Sequence, residues 1–227
     1  METLSEVVEK TISNIRFLCE DVCANGGTIQ EDLEFRHHPV EGVGIFTTID
    51  LPPGVALIKI PYYLCLSVDM ISCDQHLSKL LKQNPGLLDY PDEILALGIM
   101  YSVSESNQCE WSQHVKTFPT TINTTLFWSA EELDELKGSN LYHLTNLLKR
   151  QMQSDWTNIH EPLSKEYPFL GHITLELYQW ALSMVYSRAI GVTRNKIYTR
   201  IIPPVIDLVS TKFCFFSTSM LLFINII

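Results

Sequence analysis

The chain has 227 residues, 46% of them apolar and only 19% charged, with a formal net charge of −10. That length and apolar content support a packed core and exclude bulk disorder. The negative balance excludes a non-specific nucleic-acid binder, which needs a basic face to displace counterions.

Residues 1–35 hold eight carboxylates against Lys10 and Arg16, so −6 of the −10 sits there. An acidic surface of this kind suits a basic protein partner. The six cysteines, at 19, 23, 65, 73, 109 and 214, form no C-x-x-C pair. Neither a zinc knuckle nor a redox motif is therefore visible. Sparse cysteines and the lack of an apolar leader lead to an expected cytosolic or nuclear location.

Leu4, Val7, Val8, Ile12, Ile15, Cys19 and Val22 recur at three-four spacing, which predicts a helix capped by Thr3 or Ser5. Asn25-Gly26-Gly27 ends it, because glycine enters the left-handed conformation at little cost. Strand-like runs follow over 28–35, 43–47 and 55–60, with Leu51-Pro52-Pro53-Gly54 as a turn before the third. Pro61 closes that strand, and 64–68 predicts a fourth.

The texture then becomes helical. Asp69 is read as the cap of a helix reaching Leu81, and Pro91 as the first turn of another, with Asp92 and Glu93 at its positive end. A short helix is read over 111–118, ending before Pro119. Ser129-Ala130-Glu131-Glu132 forms a capping box, and further helices are expected over 139–160 and 173–189. Strand character returns at 197–202. Strands, a long helical stretch and strands again predict an α+β fold, a small β domain interrupted by a helical insertion.

Residues 213–227 are apolar-leaning and uncharged. Fifteen such residues fall short of the roughly 20 that span a bilayer. A membrane tether, a buried terminal strand or helix, and a tail unrelated to what precedes it are the three readings. The histidines show no metal-binding spacing, and neither a nucleophile elbow nor a P-loop occurs. Trp111, Phe118, Phe127, Trp128, Trp156 and Trp180 read as packing residues.

Three separated segments nevertheless fit one pattern. Glu41-Gly42-Val43-Gly44-Ile45-Phe46, with Pro53-Gly54-Val55 and Ile60-Pro61, opens it. Trp111-Ser112-Gln113-His114-Val115, Phe118-Pro119, Phe127-Trp128 and Glu131-Glu132-Leu133 match a "W-x-x-Y-[IL] … W-x-x-E-E-L" stretch. Ser187-Arg188 and Ile202-Pro203-Pro204-Val205-Ile206-Asp207 close it. Together they resemble the SET-domain protein methyltransferase family, in its Rubisco large-subunit methyltransferase-like branch, over roughly residues 28–209.

The resemblance implies a cofactor, S-adenosylmethionine, and protein-lysine N-methylation, with a basic protein such as a histone or ribosomal protein as the substrate of the full-length form. It implies cofactor-binding roles for Gly42, Gly44, Arg188 and Asp207. A glycine turn lets backbone amides and carbonyls approach the donor, and an arginine fork can hold its carboxylate.

The family's D-x-x-N-H run breaks here, because Ser210 and Thr211 stand at the Asn and His positions. No Tyr follows position 211, so the expected chain is catalytically incomplete, with its closing SET strands missing. The expected division is an N-terminal helix (1–27), a SET β part (28–68), a helical insert (69–190), the start of the second SET part (191–209) and an unrelated tail (210–227). A non-catalytic binding or regulatory module is the alternative, and a membrane-tethered protein the weaker one.

Overall fold

The computed structural model describes residues 4–38, 42–50, 55–104, 106–194, 196–208 and 224–226. The first helix, α1, spans Leu4–Ala24. Ile15, Leu18 and Val22 are buried along it, while Val7, Val8, Ile12 and Cys19 are half-buried. Gly26 ends the helix at φ +86°, in the left-handed region where a Cβ is disfavoured, and the Gly27 amide donates to the Val22 carbonyl at 2.9 Å.

Among the described residues the strands form three small sheets. Strand β1 (Thr28–Ile29) pairs antiparallel with β4 (Ile58–Ile60). Strands β2 (Leu33–His38) and β3 (Gly42–Thr47) form a hairpin whose register runs from Leu33 opposite Thr47 to His38 opposite Gly42. In the third sheet β7 (Ile197–Ile202) lies between β5 (Leu66–Ser67) and β6 (Ile190–Arg194). Residues from both sides of the helical stretch thus share one sheet. Pro61 does close β4, and β5 is the fourth strand expected from the sequence.

Strand β8 (Ile224–Ile226) runs parallel to β4. Of the three readings of the apolar tail, a terminal strand fits these three residues; the rest of the tail lies outside the described residues. Among the described residues no helix is long and apolar enough to cross a membrane. The turn at Leu51–Gly54 also lies outside them.

Two helical expectations need correction. The helix assigned to Asp69 is capped by Ser67, whose Oγ accepts the Met70 amide at 3.1 Å. It also breaks into α2 (Val68–Cys73) and α3 (Leu77–Gln83). The Asp74 carboxylate accepts the amides of His76 and Leu77 at 2.8 and 2.9 Å, which starts a new helix there. The helix expected over 139–160 is α7 (Asn140–Asp155), followed by a π turn (Trp156–His160) and a further helix, α8 (Glu161–Glu166).

Helices α4 (Pro91–Val103) and α9 (Leu175–Arg188) pack together in the middle of the insert. Every residue from Glu93 to Tyr101 is buried, so α4 has no solvent face over that stretch. Leu95, Ile99, Met100, Tyr178, Leu182 and Val185 build the larger core there. A smaller core under the β part joins Leu18 and Val22 of α1 to Ile58, Ile60, Cys65, Ile201, Val205 and Ile206. Helix α5 (Ser112–Val115) and α6 (Ala130–Asp134) complete the set, and the capping box at Ser129 and Glu132 has both its hydrogen bonds. Trp111 and Phe118 are buried as packing residues, whereas Phe127 is 43% exposed.

Candidate functional site

Two prolines end β7, and the chain turns into a 3-10 helix, Ile206–Leu208, that carries Asp207 inward. The Asp207 side chain is 0% exposed. A bare carboxylate there would be costly, so its partners decide whether it is tolerated.

Arg188, at the C-terminal end of α9, donates from Nη1 to Asp207 Oδ2 at 2.7 Å and to the Asp207 carbonyl at 3.4 Å. A cation in that last turn also suits the negative end of the helix dipole. His114, buried on α5, lies with Nε2 3.3 Å from the same Oδ2. Phe118 braces both partners: the Arg188 guanidinium sits 4.9 Å from its ring centroid, and the His114 ring meets it edge-on at 5.1 Å.

Burial pushes the Asp207 carboxyl up, but the charges of His114 and Arg188 and their hydrogen bonds outweigh it, so the group is held below the ordinary carboxylate value. Asp207 Oδ1 and His114 Nδ1 are buried without a hydrogen-bond partner among the described residues. Both of these Arg188 bonds to Asp207 come from Nη1.

Gly42 and Gly44 lie on β3, which packs against the 206–208 turn. Gly42 has φ +78°, a conformation that L side chains rarely adopt. Among the described residues, a Cβ added there would meet nothing within 4 Å, and one on Gly44 would meet the Phe46 ring at 3.7 Å. Among the described residues, nothing else stands over either glycine. Of the four candidates from the sequence, the fold brings Arg188 and Asp207 into direct contact and sets the glycine strand against Asp207's turn. Glu41, Ser210 and Thr211 lie outside the described residues.

Sequence reasoning missed His114 and Phe118 as members of this cluster. The available signal was His114 itself, standing at the Tyr position of the W-x-x-Y pattern. A second buried cluster was missed altogether. Glu93 Oε2 lies 2.8 Å from His160 Nε2, and the Tyr178 hydroxyl donates to both Glu93 oxygens at 3.0 and 3.2 Å. Burial first, and the Glu93 charge second, push the Tyr178 phenol far up. Glu93 also edges a cleft of about 530 Å³ with Asn84, Leu87, Tyr90, Gln151 and Asp155, but none of the four candidates lines it.

Comparison with known proteins gives the geometry a context. No family model matches the chain. The Rubisco large-subunit N-methyltransferase of Nicotiana tabacum is 25% identical over 160 residues, covering 69% of this chain and 31% of that protein. The fructose-bisphosphate aldolase-lysine N-methyltransferase of Arabidopsis thaliana is 26% identical over 172 residues, covering 75% and 34%. The actin-histidine N-methyltransferase of Canis lupus familiaris is 22% identical over 169 residues, covering 72% and 28%. The chain thus spans about a third of the length of the curated relatives it matches.

Among solved structures, the SET domain of the Rubisco enzyme bound to lysine and S-adenosylhomocysteine superposes with a TM-score of 0.69 at 22% identity, covering 91% of this chain and 44% of that one. The same enzyme bound to S-adenosylmethionine gives 0.67 at 19% identity, covering 87% and 44%. The relatives of this chain are therefore SET-domain methyltransferases of the Rubisco large-subunit methyltransferase-like branch, and its own fold is the SET fold of those enzymes.

Proposed function

We propose that this chain is a SET module that binds S-adenosylmethionine and, with Ser210 and Thr211 as written, does not itself transfer the methyl group. The observation that carries the reading is the Asp207 carboxylate, buried and gripped by Arg188 and His114 against the glycine strand. Asp207 orients Arg188 through Nη1, leaving the rest of the guanidinium fork for the donor's carboxylate. Gly42 and Gly44 lack a Cβ, so among the described residues the donor can approach their backbone closely. When bound, the donor supplies a sulfonium methyl for in-line displacement by a neutral amine.

Two residue types stand against turnover. The Ser210 hydroxyl lacks the paired donor and acceptor of an Asn amide, and Thr211 has no imidazole. In a form with Asn and His at these positions, the substrate class we propose is a lysine on a basic protein, histone or ribosomal in character, in keeping with the acidic charge of the chain. A cytosolic or nuclear location belongs to the same reading, and fractionation of cells expressing a tagged chain tests it.

Titration calorimetry with S-adenosylmethionine and S-adenosylhomocysteine is the central experiment, run beside transfer of labelled methyl to histones, ribosomal proteins and whole lysate. Binding without transfer is the expected pair of results. An absence of binding at millimolar donor removes the cofactor reading, and sustained turnover removes the claim of inactivity.

One observation favours a partner-binding role alongside this. Leu141, Leu144 and Leu147 follow one stripe of α7 and are 48%, 61% and 57% exposed. Replacing all three by serine should abolish partner capture while leaving donor binding intact.

A further inference from the structure

The residue that aims Asp207 is two positions before it. Val205 has φ +67°, in the left-handed region. For a β-branched side chain that is an outlier, since its branched Cβ crowds the backbone there. The Ile206 amide donates to the Pro204 carbonyl at 2.7 Å, so an i to i+2 hydrogen bond closes over Val205. A three-residue turn with positive φ at its centre is the rare, strained form of the γ-turn.

Such a conformation persists only where the surroundings over-determine it. Here they do so from three directions. Pro203 and Pro204 lock their own φ angles and bring no amide of their own. The Asp207 amide donates to the Pro203 carbonyl at 3.3 Å and the Leu208 amide to the Val205 carbonyl at 3.1 Å, which winds the chain tightly after the prolines. The Val205 side chain is 0% exposed, fixed among Leu18, Val22, Ile58, Ile60 and Ile201.

Glycine would fit the backbone without strain. A valine at this position ties the turn to the core under the β part, at the cost of that strain. We infer that Val205 is a positioning residue: its buried side chain anchors a strained γ-turn that points the Asp207 carboxylate at Arg188 and His114. The inference rests on the donor-binding reading for its consequence, but the aim of Asp207 can be tested without any donor.

The variants are Val205→Gly and Val205→Ala, with Ile58→Ala as the control. The control and Val205→Gly each remove three carbons from the same core, and Ile58 lies in an ordinary strand. The primary readout is the titration of Asp207, followed by carboxyl NMR on aspartate-labelled protein and assigned with Asp207→Asn. The second readout is calorimetric affinity for S-adenosylmethionine.

In Val205→Gly, or in Val205→Ala should the glycine chain not fold, the Asp207 midpoint should rise by at least about one pH unit towards the ordinary carboxylate value. Donor affinity should fall at least tenfold with it. Ile58→Ala should lower the melting temperature and leave both readouts in place. An Asp207 midpoint unchanged in the Val205 variants, or raised equally in Ile58→Ala, overturns the positioning role. A wild-type chain that binds no donor overturns only the functional reading, because the carboxylate titration is measured without it.

Discussion

Arg188→Met tests whether the buried pair holds the turn after β7 in place. The substitution keeps an unbranched, apolar side chain beside Phe118 and removes the guanidinium from Asp207. The Arg188 and Asp207 side chains are 13% and 0% exposed, so solvent screening takes little from their attraction. Removing one member of a buried pair costs about 3–5 kcal/mol, because the other charge stays behind uncompensated.

His114 remains against the carboxylate, which puts the expected loss at the lower end, about 3 kcal/mol. For a chain of this size that is about 6–12 °C in melting temperature. The pH dependence has a definite sign. Asp207 titrates in the folded chain below its unfolded value of about 3.9, so its contribution is present above that pH and is lost as pH falls through the folded value. The gap between wild type and variant should therefore be full at neutral pH and narrow below about pH 4. Thermal melts across that range are the assay. A variant that melts within a degree of wild type at neutral pH would refute the reasoning, as would a gap that widens with acid.

Three further outcomes follow from the packing. Gly98→Ala should cost about 1–3 kcal/mol, because its Cβ would stand 2.5 Å from Ile71 Cδ1 and 2.9 Å from Cγ1; urea unfolding measures this, and adding Ile71→Ala should restore part of it. Tyr178→Phe should cost about 1–3 kcal/mol by stripping a donor from the buried Glu93, with urea unfolding again the measure. Gly42→Ala should cost about 1–2 kcal/mol for its left-handed φ, whereas Gly44→Ala should leave stability unchanged. Calorimetry then separates the roles: if β3 backs the donor, Gly44→Ala weakens donor binding without touching the melt.

Much of the fold was legible wherever a signal is local. The three-four spacing of α1, Pro91 in the first turn of α4, and the Ser129–Glu132 box each depend on residues within a turn of one another. What failed depended on choices between neighbours or on distant contacts. Asp69 and Ser67 are both good caps, and only the Ser67 hydroxyl reaches the amide three residues on. Strand β6 was missed because four of its five residues are exposed, with no alternation for a pattern to follow. At the candidate site, the family pattern singled out Arg188 and Asp207, which the fold brings into contact. It did not single out His114, since its role depends on a contact 93 residues away.

That long-range contact also bears on how loss of function in this chain should be read. Asp207 joins α5, α9 and the turn after β7, three segments that come together only in the folded chain. Its burial would be intolerable without Arg188 and His114, so the three side chains are needed as a set whether or not a methyl group ever moves. The Asn-His positions begin three residues later and hold Ser210 and Thr211. A substitution at Asp207 that abolished donor binding would therefore mix two effects, the lost ligand contact and an Arg188 freed from its partner. Arg188→Lys separates them. It keeps a cation for Asp207 and removes the fork, so a small change in melting with a large drop in donor affinity would assign the guanidinium to the ligand. Equal losses in both would assign it to the fold alone.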